Sequence, residues 1–179
     1  MMRHLALLLF VATLALPARG EDLGGLTLAQ LLSLRAGIEE QLRERKIVRT
    51  ANLTGELAEH LFVTTFGWSL APASQKGFDA TDGALRYQIK ARRVSQDATH
   101  HQLGAIRDME GFDVLAVLIF DKGYRIRQAA LIPSSWVRAQ AAYNGYTNSF
   151  RLVVTDEMLS AEDIRNVTSE MAQGLAAHP

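Results

Sequence analysis

The chain has 179 residues, no cysteine, and 19 basic against 19 acidic side chains, so its formal net charge is zero. This length suits one ordinary domain with a sizeable core. The lack of cysteine excludes disulfides, thiolate metal sites and cysteine nucleophiles. Because the charges balance, any binding to a polyanion must come from a local arrangement of residues.

The first residues differ in composition from the rest. Arg3 and His4 precede an apolar run over residues 5–16, and small residues follow it. This pattern is typical of a secretory signal peptide, and the run is short for a transmembrane helix. A start codon assigned too far upstream is the alternative. We therefore set residues 1–21 apart from one domain over 22–179. That domain is expected to be periplasmic or secreted if the segment is cleaved, cytoplasmic if the start is misplaced, and outside the membrane in its mature form.

Hydrophobic periodicity predicts two helices next. Apolar residues at helical spacing indicate one helix over residues 26–45 and a second over 53–64. On the second helix, Glu59 is predicted to lie opposite the apolar arc and to point into solvent. Glu56 lies at the edge of that arc, so it is the carboxylate expected to look inward. A solvated boundary residue is the alternative for Glu56.

A hairpin is predicted around Asp82-Gly83, the strongest short-range turn signal in the chain. Taken as a two-residue loop, this turn places Asp79 opposite Arg86. Alternation along the strands then collects four polar side chains on one face, namely Asp79, Arg86, Gln88 and Lys90. An exposed face with an Asp–Arg pair across the strands is the ordinary interpretation, and a longer loop would shift the register.

The remaining elements alternate in type. The apolar run over 114–120 predicts a strand covered on both faces, and a second strand is predicted over 124–132. A helix over 133–143, a final strand over 149–155 and a closing helix over 161–175 follow. This order predicts a single α/β domain, more closely an α+β fold with a central mixed sheet flanked by helices.

Helical Glu56, Asp79 on a hairpin strand and the tripeptide Gln88-Ile89-Lys90 together resemble the PD-(D/E)xK nucleases of restriction-endonuclease-like fold. The runs SQKGFDA, RYQIKARR, LGAIRD and FDVLAVLIF are also similar to a small bacterial domain family of unknown function with this fold. That second resemblance covers most of residues 22–170. The glutamine departs from the commoner Glu or Asp, and its Q-x-K form is similar to that of methylation-dependent restriction nucleases.

The resemblance implies a metal-dependent endonuclease that acts on DNA with Mg²⁺ or Mn²⁺. Asp79 would be the central metal ligand, Glu56 would supply a second carboxylate, and the backbone carbonyl of Ile89 would complete the protein ligands. Gln88 would offer a neutral amide oxygen. Lys90 would orient or help to deprotonate the attacking water and offset charge at the scissile phosphate.

Contacts with flanking phosphates are expected from four arginines near this site, namely Arg86, Arg92, Arg93 and Arg107. Ordinary solvated surface charges are the alternative for each of them. Because nucleases that cut both strands often pair, a homodimer is also expected.

Two further groups of residues have weaker signals. His100 and His101 are adjacent rather than four apart, so they cannot share one helix face and zinc between them is disfavoured. Tyr143, Tyr146 and Phe150 could stack on bases, although packing is the simpler role.

The competing interpretation is a nuclease-fold module that lacks catalysis and binds DNA or a protein partner. Gln88 in place of an acidic residue and the zero net charge favour this alternative. A secreted interaction protein is a third class, which depends on cleavage of residues 1–20.

Overall fold

The computed structural model describes residues 23–72 and 75–178. The leader predicted over residues 1–21 lies outside these ranges, so the cellular location stays a prediction. Within the two ranges, no helix combines the length and apolar character needed to cross a bilayer. The chain divides into two compact units between Gln41 and Leu42, and the second unit carries Glu56, Asp79, Gln88 and Lys90.

Four α-helices and ten strands, with two short 3-10 helices at Leu23–Gly25 and Met158–Ser160, make up the described chain. The helices are α1 (Leu28–Glu44), α2 (Leu53–Phe66), α3 (Ser134–Gln140) and α4 (Thr168–Ala176). The strands are β1 (Ser69–Leu70), β2 (Ala80–Thr81), β3 (Arg86–Arg93), β4 (His100–Gln102), β5 (Val114–Phe120), β6 (Ile126–Pro133), β7 (Ala142–Asn144), β8 (Ser149–Arg151), β9 (Val153–Thr155) and β10 (Arg165–Asn166).

The first two predicted helices are confirmed as α1 and α2. Helix α2 begins after Asn52, whose side chain accepts a hydrogen bond from the backbone N–H of Gly55 at 3.3 Å. The helix predicted over 133–143 ends earlier, at Gln140, because the next residues pair as strand β7.

The C-terminal elements differ from the prediction in two places. The strand predicted over 149–155 is divided at Leu152 into β8 and β9, which pair with β7 and β4 respectively. The closing helix predicted over 161–175 begins later, at Thr168. Part of the preceding segment is used as the edge strand β10, which pairs with β6.

A six-stranded mixed sheet forms the centre of the fold, in the order β1-β2-β3-β5-β6-β10. Strands β3 and β5 are parallel, and the other neighbours are antiparallel. Helices α2 and α4 pack against one face. Helix α3 and the segments that form the small sheets β4-β9 and β7-β8 contribute to the core on the other face. The predicted fold class, an α+β domain with a central mixed sheet flanked by helices, is therefore confirmed.

Strand β5 is the covered strand that the sequence predicts. Alternate residues enter the core on the α3 side, namely Leu115, Val117 and Ile119. The residues between them enter the core on the α2 side, namely Ala116, Leu118 and Phe120. All six are fully buried at 0% exposure, which explains why this run contains no polar residue.

The hairpin register is wrong in the prediction. Ala80 pairs with Tyr87 and Thr81 pairs with Arg86, so the loop has four residues, 82–85. The reason lies in the Asp82 side chain, whose Oδ1 accepts hydrogen bonds from the backbone N–H groups of residues 84 and 85, at 2.9 and 2.7 Å. A shift of two residues keeps every side chain on its predicted face.

Two glycines bring the chain just before this hairpin against a distant loop. A Cβ atom on Gly111 would lie 2.5 Å from the Cα of Gly77 and 2.7 Å from Asp108 Oδ2. Gly77 also has φ +94°, a conformation that suits glycine. This close contact between Gly77 and Gly111 fixes the position of the segment that leads to Asp79.

We expect Gly111→Ala to lower the free energy of unfolding by about 1–3 kcal/mol, because backbone cannot give way as a flexible side chain can. Urea denaturation measures the effect. Gly104→Ala is the matched control, since its added methyl group would meet only Lys90 Cδ at 3.8 Å. Equal stability losses in the two variants would contradict the close packing of the two glycines.

Candidate functional site

Asp79 is held rigidly at the edge of the central sheet. Its Oδ2 accepts a hydrogen bond from Gln88 Nε2 at 2.5 Å and another from the backbone N–H of Ile89 at 2.7 Å. Its own backbone N–H donates to the carbonyl of Tyr87 at 2.8 Å. Among the described residues, the second carboxylate oxygen, Oδ1, has no hydrogen-bond partner. One oxygen therefore fixes the side chain while the other stays open to a ligand.

Gln88 and Ile89 supply further oxygen atoms next to Asp79. The Gln88 side chain is 9% exposed, and its amide nitrogen is used on the aspartate, which leaves the amide oxygen as its open acceptor. In an extended strand the N–H and C=O of one residue point to the same side. Since the N–H of Ile89 points to Asp79, its carbonyl faces the same edge of the sheet.

Lys90 lies two residues beyond Gln88 and on the same face of β3. Burial lowers the pKa of Lys90, while the negative charges of Asp79 and Glu59 oppose that change and the positive charge of Arg107 adds to it. In the part of the chain that is described, no hydrogen bond or ion pair holds its ammonium group. Lys90, the site lysine, is thus half-buried and close to the carboxylates of Asp79 and Glu59, and its ammonium group is available to a ligand.

Glu59 is the helix carboxylate that faces this site, contrary to the prediction that it points into solvent. Its side chain is only 22% exposed. Burial raises the pKa of Glu59, and the nearby negative charge of Asp79 raises it further. The helical wheel failed here because the far side of α2 is partly covered: Arg49 pairs with Glu59 there, and the charge of Asp79 is near enough to act on it.

Glu56 looks inward, as its place at the edge of the apolar arc predicts, and is 7% exposed. Its Oε2, however, accepts hydrogen bonds from the backbone N–H groups of Arg49 and, at 2.8 Å, of Thr50. Burial raises the pKa of Glu56, but the bonds from Thr50 and Arg49 outweigh it and leave the pKa below its usual range. Glu56 thus fixes the loop before α2, and its role as a metal ligand stays a prediction.

Sequence reasoning also missed Arg49. Its Nη2 lies 2.6 Å from Glu59 Oε2, and its Nε lies 3.9 Å from Glu56 Oε1. The guanidinium therefore links the two glutamates of α2. No sequence pattern indicates this arrangement, because Arg49 belongs to an irregular loop whose path depends on the helix that follows it.

Arg86 is committed to another partner, so its expected phosphate contact is not supported. Its guanidinium binds the Asp113 carboxylate through two bonds, Nη2 to Oδ1 at 2.9 Å and Nε to Oδ2 at 3.0 Å. The backbone N–H of Arg86 donates to the same carboxylate at 2.9 Å. These bonds lower the pKa of Asp113 to about 2.

We expect the Asp113 pair to stabilise the protein only above a defined pH. Because its pKa is depressed from 3.8 to about 2 on folding, its contribution is fully present above the unfolded value and is lost as the pH falls through the folded one. Urea unfolding of wild type and Asp113→Asn should differ near neutral pH and converge as the pH approaches about 2. A difference that is independent of pH would contradict this account.

The other three predicted arginines fall into two groups. Arg92 donates through Nη1 to the carbonyl of Gln102 at 2.6 Å, and the guanidinium carbon of Arg93 lies 4.9 Å from the centre of the Tyr124 ring. Arg107 is exposed, and its charge acts on the site lysine. Arg107 therefore lies near the site lysine, and its contact with a phosphate stays a prediction.

The two adjacent histidines do not share a site. His101 is fully buried and its Nε2 lies 2.6 Å from Asp156 Oδ1. His100 is exposed and contacts Thr99. Alternation along β4 turns the two rings to opposite sides of the strand.

The oxygen atoms around Asp79 fit a hard divalent cation. Such ions take carboxylates, amide or backbone carbonyls and waters, which matches Asp79 Oδ1, the Gln88 amide, the Ile89 carbonyl and Glu59. The negative charge of Asp79 raises the pKa of Glu59, and a cation between the carboxylates would relieve that repulsion. Within 23–72 and 75–178 no three His, Cys, Asp or Glu side chains form a metal cluster, so waters or a phosphate would complete the shell.

Comparison with known proteins adds little to this geometry. No protein-family profile matches the sequence, and no curated protein matches it significantly. Among solved structures, the chain is similar to a bacterial homing endonuclease, with 15% identity, a TM-score of 0.39, and coverage of 72% of this chain and 96% of the other.

Proposed function

We propose that this protein is a metal-dependent nuclease that hydrolyses phosphodiester bonds of DNA. The observation that carries the proposal is the fixed Asp79 carboxylate, held by Gln88 and the N–H of Ile89 with its second oxygen open. Lys90, on the same strand as Gln88 and Ile89, and Glu59, on α2, lie near enough for their charges to interact with that of Asp79. The PD-(D/E)xK resemblance of the Q-x-K tripeptide supports the same chemistry.

Mg²⁺ or Mn²⁺ would be held by Asp79 Oδ1, the Gln88 amide oxygen, the Ile89 carbonyl and Glu59. When bound, such an ion lowers the pKa of a water molecule and stabilises negative charge that develops on a phosphate. Glu59 would take the part that the sequence assigned to Glu56. Glu59 pairs with Arg49 at 2.6 Å. Binding of the ion to Glu59 would therefore weaken the contact between Glu59 and the Arg49 guanidinium.

Lys90 would act on the phosphate and the attacking water. Its ammonium would donate to a phosphate oxygen and offset the charge that develops there. Burial lowers the pKa of Lys90 and so favours its neutral amine. In that form Lys90 would accept a proton from the attacking water. Arg107 would hold the adjacent phosphate.

A second candidate is the nuclease-fold module without catalysis, which binds DNA or a protein partner. Two observations favour it: Gln88 supplies an amide where an acidic ligand is commoner, and Glu59 already has a cationic partner. Both lower the affinity expected for a metal. A homodimer stays a prediction for either candidate.

Titration of Mn²⁺ into the full chain, together with cleavage of supercoiled plasmid and a labelled duplex, tests the proposal. We expect saturable binding of Mn²⁺ and cleavage that stops when a chelator removes the metal. Lys90→Met should retain Mn²⁺ binding and lose cleavage. If wild type neither binds Mn²⁺ nor cleaves, but still binds DNA, the module without catalysis is the better description.

A further inference from the structure

The β7–β8 hairpin presents an aromatic side chain that the fold itself does not use. Tyr146, at the tip, is 98% exposed, and Tyr143 is 60% exposed. Burying a large aromatic side chain is favourable, so a tyrosine left wholly in water has a surface available to a ligand.

The tip of this hairpin is ordered by its own side chains. The backbone N–H of Tyr146 donates to Asn144 Oδ1 at 3.1 Å, and the Tyr143 hydroxyl donates to Asn148 Oδ1 at 3.0 Å. The Tyr143 ring also packs edge-on against Phe150, with the ring centres 5.4 Å apart. Tyr146 is therefore displayed on a structured support, and its removal need not disturb the tip.

The base of the hairpin is bonded to the segment that borders the site lysine. Phe150 and Ile106 exchange two backbone hydrogen bonds, at 2.7 and 3.0 Å. On one side of Ile106, Gly104 lies beside the Lys90 side chain; on the other, the charge of Arg107 acts on that lysine. Strand β8 begins at Ser149, and the turn over residues 145–148 carries Tyr146 at the tip.

The charges of the β7–β8 hairpin suit a polyanion. Residues 142–155 contain no acidic side chain, and Arg151 is exposed on the hairpin. Arg107 is exposed at its base. A strand of nucleic acid with one phosphate at the site would thus pass cationic groups on its way to the tip.

We propose that Tyr146 stacks on an unpaired base of the nucleic acid whose phosphate lies at Lys90, a placement that rests on the proposed function. An unpaired base is required because a paired base keeps both faces inside the duplex stack, whereas any free base offers a face to an aromatic ring. The preferred substrate is therefore single-stranded, or locally unpaired, DNA.

Fluorescence anisotropy with a labelled single strand of about 16 nucleotides, in the presence of a chelator to prevent cleavage, tests this inference. We expect Tyr146→Ala to weaken binding by about 5- to 100-fold. Tyr146→Phe is the matched control, because it keeps the ring and loses only the hydroxyl, and it should bind like wild type. The same strand annealed into a perfect duplex should bind more weakly and should not respond to Tyr146→Ala.

The outcomes separate this inference from the proposed function. If Tyr146→Ala binds the single strand as wild type does, or if wild type binds no single strand, stacking is overturned even where Mn²⁺ binding and cleavage are intact. If wild type binds no Mn²⁺ but its binding of the single strand depends on the Tyr146 ring, the stacking site stands and the nuclease proposal fails.

Discussion

Asp79→Asn is expected to abolish Mn²⁺ binding and to reduce cleavage by more than about 100-fold, since even residues that only support metal ligands have effects of 10- to 100-fold. The asparagine oxygen can still accept the bonds from Gln88 and the N–H of Ile89 that Oδ2 accepts now. Its amide nitrogen then stands in the place of the open oxygen, where it presents a donor to a cation. The fold should be retained, with a change in free energy of unfolding of about 1 kcal/mol or less.

Asp82→Asn is the matched control for this variant, because it removes the same charge from the same hairpin. Asp82 accepts loop N–H groups and the Tyr87 hydroxyl, at 2.7 Å for the last of these, and takes no part in the site. Calorimetric titration of Mn²⁺ and a cleavage assay compare the two variants with wild type. Unchanged Mn²⁺ affinity in Asp79→Asn would remove the metal from this edge of the sheet.

Glu59→Gln and Glu56→Gln are expected to have opposite effects. Glu59→Gln should weaken Mn²⁺ binding by about 10- to 100-fold and change the free energy of unfolding by less than about 0.5 kcal/mol. Glu56→Gln should leave Mn²⁺ binding intact and lower the free energy of unfolding by about 1–2 kcal/mol. The reason is that the buried Glu56 carboxylate accepts the N–H groups of Arg49 and Thr50, whereas Glu59 faces Asp79.

Calorimetry and urea denaturation on both variants check this pair of predictions. The pH dependence adds a further test: because the pKa of Glu56 is lowered on folding, its stabilising effect is present above the unfolded pKa and is lost as the pH falls through the folded one. The gap between wild type and Glu56→Gln should therefore close in acid. A loss of Mn²⁺ binding in Glu56→Gln, with Glu59→Gln unaffected, would restore the assignment made from the sequence.

Several features follow from local spacing and are therefore readable in the sequence. Strand β5 is apolar at every position because both of its faces are covered, and the alternation that separates Gln88 and Lys90 from Ile89 needs no knowledge of the rest of the chain. Helix α2 is likewise marked by its apolar repeat and by Asn52 at its start. These patterns are found again in the folded structure because they depend only on residues close together along the chain.

The partners of the charged side chains depend on how distant parts of the chain come together. Arg86 was expected to face Asp79 or a phosphate, yet it binds Asp113, 27 residues further along the chain. The hairpin register depended on hydrogen bonds made by one loop aspartate, Asp82. Neither a residue so distant nor the path of a loop contributes to the periodicity of a segment.

Local patterns in the sequence thus predict the mixed sheet, the helix that carries two glutamates, and the order of Asp79, Gln88 and Lys90 along one edge. The tertiary structure decided that Glu59 faces that edge and that Glu56 is bound by the loop at Arg49. The physical reason is that a helical repeat specifies which side chains share a face. Which face meets the charged edge of a sheet depends on how the helix is packed, and packing is a property of the whole core.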